Sequence, residues 1–166
     1  LKFPSIEQFR QVVREVTDRA RYIGKDKDGK AIIDNGKELP TVSFAQTTKI
    51  HGTNGGVTLT QDGTLEVQSR NRLLSEDDDN NGFYKWAMQR EAIFREQLSP
   101  YLLDTTSQVT VFGEFAGESI QKGVAVSQLP KAFYVFDMFA VVGEEVIRVE
   151  DFLHNFHKSD SQIFPI

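Results

Sequence analysis

The feature that most constrains this chain is a series of short apolar runs between Thr41 and Val149, rich in β-branched and aromatic residues and punctuated by turn formers. Val109 to Phe115 and Ala132 to Val142 have the composition of buried strands. Gly55 to Thr60 and Leu65 to Ser69 flank Gln61-Asp62-Gly63-Thr64, and Asp-Gly between two alternating stretches predicts a tight hairpin. Thr41 to Thr47 reads as a further strand that delivers the chain to Lys49. Glu144 to Val149 is expected to pair back through a turn at Gly143.

Helical spacing occurs around these runs. Ile6, Phe9, Val12, Val13, Val16 and Ala20 recur on one face, and Ser5 with Gln8 behind Pro4 has the pattern of a capping box, predicting a helix to about Tyr22. Phe83 to Leu98 is predicted helical, as is a short stretch from Glu150 to His157. Gly24 to Pro40 is polar and rich in Lys, Asp and Gly, a loop or loose hairpin, and Asp77 to Gly82 is an acidic loop. Helix, strands, helix, then more strands gives an α+β class with largely antiparallel sheets and flanking helices. With 166 residues, no internal repeat and no linker, one domain over residues 1–166 is expected.

Composition removes several classes. Zero cysteines leave no disulfide framework and no thiolate metal site. No apolar run reaches membrane-spanning length, and no leader pattern opens the chain. A cytoplasmic monomer is the expectation. The net charge is −5, and four of its negative charges sit in Glu76-Asp77-Asp78-Asp79. That balance argues against a general nucleic-acid coat but permits a local cationic pocket. The first residue is Leu, so further N-terminal sequence is expected.

Glycine-rich phosphate loops, dinucleotide fingerprints and zinc-protease helices are absent from the sequence. Its three histidines are His51, His154 and His157, the latter two reading as exposed polar residues on a short helix. The informative stretch is Lys49-Ile50-His51-Gly52-Thr53-Asn54-Gly55-Gly56. A lysine delivered to a turn of small and polar residues can be a nucleophile, because glycines let backbone approach a ligand and Thr and Asn offer short hydrogen-bonding groups. By spacing alone, a hairpin with a solubilising lysine is the preferred explanation.

Lys49 to Asn54 resembles the nucleotidyl-acceptor motif of covalent nucleotidyltransferases, lysine-x-aspartate-glycine, in its RNA-ligase variant with histidine for aspartate. Ser69-Arg70, Val111 to Gly117 and Phe133 to Asp137 resemble three further motifs of those enzymes, in the same order. The resemblance is to the nick-sealing RNA ligases, the phage RNA ligase 2-like group. It implies ATP as nucleotide, Mg²⁺ or Mn²⁺ as metal, and RNA ends or a nicked duplex as partner, with joining of a 5′-phosphate to a 3′-hydroxyl through a lysyl-N-AMP intermediate. Lys49 would attack the α-phosphorus, with His51 beside the polyphosphate. Asn54 and Arg70 would contact phosphate or sugar, the arginine through its planar fork. Glu114 would accept from a ribose hydroxyl, and Phe136 would lie against the adenine, with Thr48 and Ile50 lining its pocket. For Phe136 a place in the apolar core is the competing reading.

Two later motifs of the family, a Glu-Gly-x-Val strand and a Lys-x-Lys strand, have no counterpart after Asp137. The resemblance therefore covers the N-terminal part of an adenylyltransferase domain, and a fragment of a longer ligase is expected. Without the distal lysines, phosphate charge in the transition state would be less well neutralised. A DNA ligase or capping-type nucleotidyltransferase is opposed by His51. A non-catalytic nucleotide- or nucleic-acid-binding module with a decayed site remains the alternative of a different class.

Overall fold

A computed structural model of the chain describes residues 1–4, 8–44, 48–152 and 162–165. They fall into two compact units, Pro4–Gln46 and, separately, Leu1–Phe3 with Thr47–Ile166.

The smaller unit holds helix α1 (Phe9–Arg21) and an antiparallel hairpin of β1 (Tyr22–Lys25) and β2 (Ala31–Ile33). The helix starts at Gln8, whose backbone N–H donates to the Gln11 side chain at 2.9 Å. Ser5, the cap expected from sequence, lies outside the described residues. The polar stretch after Tyr22 is a hairpin because Asp26 Oδ1 accepts from the backbone of Asp28 and Lys30 and closes the turn. Thr41–Phe44 forms no strand, contrary to expectation, and the remainder of that run lies outside the described residues.

The larger unit is a six-stranded sheet of β3 (Thr53–Thr60), β4 (Leu65–Ser69), β5 (Thr106–Ala116), β6 (Ala132–Val142), β7 (Glu145–Arg148) and β8 (Ile163–Pro165). Its order is β4-β3-β5-β6-β7, all antiparallel, with β8 added parallel to β6. The fold is α+β, as its pattern of runs predicts. Asp62-Gly63 makes the β3–β4 turn, with Gly63 at φ +85°. The helical run after Gly82 is broken into α2 (Phe83–Met88) and α3 (Glu91–Leu98). The break falls at Arg90, which leaves helical geometry while its guanidinium donates to the Trp86 carbonyl and lies 4.1 Å over the Trp86 ring. In the stretch from Glu150 to His157, residues 150–152 are not helical and the rest lies outside the described residues, His154 and His157 with it.

One sheet face buries its apolar residues under α2 and α3. Val57, Val67, Val109, Val111, Phe115, Phe133 and Val135 meet Phe83, Trp86, Phe94 and Leu98, all fully or nearly fully buried. Phe83 is central, with ring centroids 4.9 Å from Phe115 and 5.0 Å from Phe133. Gly55 has no side chain because the Phe83 ring occupies the place of its Cβ.

That contact gives the first prediction. Gly55→Ala inserts one methyl group where the Phe83 ring already sits, so it should cost about 1–3 kcal/mol. Gly24→Ala, at a position with open space around the Cβ, should stay within about 0.5 kcal/mol of the parent. Denaturant unfolding of the two variants checks the contrast.

Candidate active site

Neighbours in register share a face of the sheet. Asn54 on β3 stands opposite Glu114 on β5, and Glu114 opposite Tyr134 on β6, forming one row across three strands. Phe115, next along β5, packs under the helices, so the Glu114 row lies on the other face. That face is partly polar. Thr58 and Thr110 share a buried hydroxyl–hydroxyl hydrogen bond of 2.8 Å there.

The chain enters this row by a close approach. Just before β3, Gly52 crosses the end of β5, where a Cβ would run into the Phe115 carbonyl. Its N–H donates to Glu114 Oε1 at 2.9 Å, and its carbonyl accepts from Gln121 Nε2 at 3.1 Å. Thr53, next in the chain, has its hydroxyl oxygen bonded by Asn80 Nδ2 at 2.8 Å. Both backbone polar groups of Gly52, which joins the lysine motif to the sheet, are thus held by side chains far away in sequence.

Lys49 and His51 are exposed on this approach, Thr48 is exposed and Ile50 half-buried. Lys49 therefore stands on irregular chain ahead of the strand rather than at a strand end. Burial pushes the Glu114 carboxyl above its ordinary value, while the Gly52 N–H, the Lys49 ammonium and His51 pull the other way without cancelling it. A half-buried carboxylate with one oxygen on a backbone N–H keeps a second oxygen able to accept.

The structure thus gathers Lys49, His51, Asn54 and Glu114 around Gly52. Arg70 and Phe136 flank the cluster. Ser69 pairs with Gly55, so Arg70 emerges beside Asn54, exposed, in a cavity of about 300 Å³ that Lys2, Gln68 and Asn71 help line. Its neighbour Arg72 is bound by both oxygens of Asp78 at 2.8 and 2.9 Å. Phe136 is the extra residue of a β-bulge, since Phe112 pairs with Asp137 but Gly113 pairs with Val135. Phe136 is half-buried and stands apart from the helix-side core. Its ring and that of Phe3 form a T-shaped pair with centroids 5.1 Å apart, and Phe3 also meets Phe112 and Phe139. The Leu1 carbonyl beside it is held by Gln68 Nε2 at 2.7 Å.

Gln121, Asn80 and Phe3 are not legible as site residues in the sequence. Gln121 follows the Glu114 motif by a few positions in a polar stretch, and that proximity was the available signal. Asn80 sits in an acidic loop, and Phe3 is a lone apolar residue before a proline.

Fold and site together define an α+β protein whose sheet carries a lysine turn closed by a carboxylate. A family model for RNA ligase matches residues 42–164, most of the chain, and the protein belongs to the RNA ligase family. Comparison with curated proteins gives no match. No helix among the described residues is long and apolar enough to cross a membrane.

Glu114 yields a pH prediction. A carboxyl whose folded pKa is raised contributes stability that is fully present below its ordinary value of 4.5 and is lost as pH rises through the folded value. Glu114→Gln keeps an acceptor for the Gly52 N–H but carries no titrating group. Melting temperatures followed from acid to neutral pH should therefore show the parent losing stability relative to Glu114→Gln as Glu114 ionises.

Proposed function

We propose that this chain is the nucleotide-binding core of an ATP-dependent RNA ligase, with Lys49 as the residue that takes up AMP. What carries the reading is the convergence of Lys49, His51, Asn54 and Glu114 on Gly52, within the segment matched by the RNA ligase family. In the step proposed, Lys49 Nζ gives up a proton and attacks the α-phosphorus. An N–P bond forms, the bond to the pyrophosphate oxygen breaks, and AMP stays on the lysine. His51 stands beside the same turn and would meet the departing phosphates. Glu114, one oxygen committed to Gly52, would accept from a ribose hydroxyl with the other. Arg70, outside the turn, suits a phosphate.

The adenine would lie on the face of Phe136 left open by Phe3, with Thr48 and Ile50 beside it. Among the described residues no group of three or more His, Asp or Glu could hold a metal ion. Mg²⁺ or Mn²⁺ would therefore have to enter on the substrate phosphates, where it would supply charge neutralisation. The joined substrates would be a 5′-phosphate and a 3′-hydroxyl of RNA, as separate ends or across a nick. A cysteine-free chain suits a reducing cytoplasm, where we place this activity.

Incubation with radiolabelled ATP or GTP tests the reading. Label should pass to protein from ATP and not from GTP. A hydrogen bond to a charged group contributes about 1.5–3 kcal/mol, so Glu114→Ala should lower transfer about ten-fold or more, with the melting temperature changed little. Phe136→Ala should weaken ATP binding about ten-fold, the loss of one base stack. GMP transfer in place of AMP, or normal transfer in Glu114→Ala, would contradict the assignment.

A further inference from the structure

Strand β6 has a gap along its outer edge, at the bulge that carries Phe136. Residues 133–135 pair with β8 and residues 139–142 pair with β7. Between them, residues 136–138 have no strand partner on that edge among the described residues. Other groups take the place of the missing strand. The Val149 N–H donates to the Met138 carbonyl at 2.9 Å. Asp137 Oδ1 accepts from the Met138 N–H at 3.0 Å and from Arg148 Nε at 2.8 Å. None of the roles assigned above uses Asp137 or Arg148.

The surroundings make Asp137 an unusual residue for this place. It stands opposite Phe112, and Arg148 stands opposite Phe139, so both lie on the face of the sheet where Phe3 meets Phe112, Phe136 and Phe139. The Asp137 side chain is 12% exposed, the Arg148 side chain 64%. A carboxylate removed from water destabilises a fold unless its oxygens are bonded. Here one oxygen serves two donors at once, a backbone N–H of β6 and the guanidinium at the end of β7. A bulge leaves its extra residue without a ladder partner, and the strand bends there. The bonds of Asp137 fix the backbone just after that residue and tie it to the neighbouring strand. Phe3 packs against the Phe136 ring itself.

We infer that Arg148 and Asp137 form a latch that positions the Phe136 ring for the adenine of ATP. Neither residue touches the nucleotide, and both act through the backbone of β6. The inference deepens the ligase reading and rests on it for the adenine.

ATP binding by the whole chain, read by calorimetry, tests the latch. Arg148→Met keeps the aliphatic stem and removes the donors, so it should raise the Kd for ATP about five-fold, the worth of one hydrogen bond. Asp137→Asn keeps an oxygen for both donors and should cost about two-fold at most. In a Phe136→Ala background the ring is gone, and Arg148→Met should then change affinity by less than about two-fold. Melting temperatures show that each variant is folded. Unchanged ATP affinity in Arg148→Met, whatever its melting temperature, would overturn the proposal and leave the pair as a brace for β7. A five-fold loss that persists in the Phe136→Ala background would also overturn it, making Arg148 a direct ligand of ATP. Failure of the ligase reading looks different. Phe136→Ala would then bind ATP as the parent does, which removes the adenine from Phe136 and the latch with it.

Discussion

The hydrogen bond from the Gly52 N–H to Glu114 is the interaction on which the rest of the site depends. It joins residues 62 positions apart in the chain. It requires β3 and β5 to pair in the register that sets Asn54 against Glu114. It also requires glycine at position 52, because any larger residue would meet the Phe115 carbonyl. Gln121 holds the carbonyl of the same residue, so the segment that carries Lys49 and His51 is anchored at Gly52 by two side chains. Glu114 remains half-buried for a related reason. Its neighbours Phe112 and Phe115 are fully buried, and Gly113 between them leaves no room for a side chain against Phe133.

The sheet separates two kinds of work. Its helix face is a packed aromatic and aliphatic core around Phe83, which sets stability. Its other face carries Asn54, Glu114, Tyr134 and Phe136, with the N-terminal Phe3 laid against Phe136. The bulge at Phe136 links the two. By adding one residue to β6, it lets Val135 and Met138 both reach the core while the Phe136 ring joins Phe3 on the opposite face. Asn54 and Glu114, on paired strands of the sheet, hold their geometry better than residues on loops alone.

Much of this was readable from the chain itself. Alternation around the Asp62-Gly63 turn marked β4, and a β-branched and aromatic run marked β6, both with the observed bounds, because each depends on local residue chemistry. The four short motifs also singled out Lys49, His51, Asn54, Arg70, Glu114 and Phe136 as candidates, and the structure sets Lys49, His51, Asn54 and Glu114 close to Gly52. What the sequence concealed is non-local or set by a single side chain. One helical run is divided in two at Arg90, whose guanidinium lies over Trp86. Strand β8 spans three residues and has meaning only against β6. Thr41 to Phe44 has strand-like residues but no partner strand, and the sheet begins instead at Thr53, once Gly52 has crossed β5. Gln121 and Asn80 act through single hydrogen bonds that leave no periodic trace.

The central claim is that the turn held by Glu114 and Gln121 presents Lys49 as the acceptor of AMP. Peptide mapping by mass spectrometry after incubation with ATP and a divalent metal ion tests it most directly, on this chain and on any longer form of it. The account predicts an AMP adduct on Lys49, released by mild acid as a phosphoramidate should be, and absent from Lys49→Ala. An adduct on another lysine, or one that persists in Lys49→Ala, would contradict it.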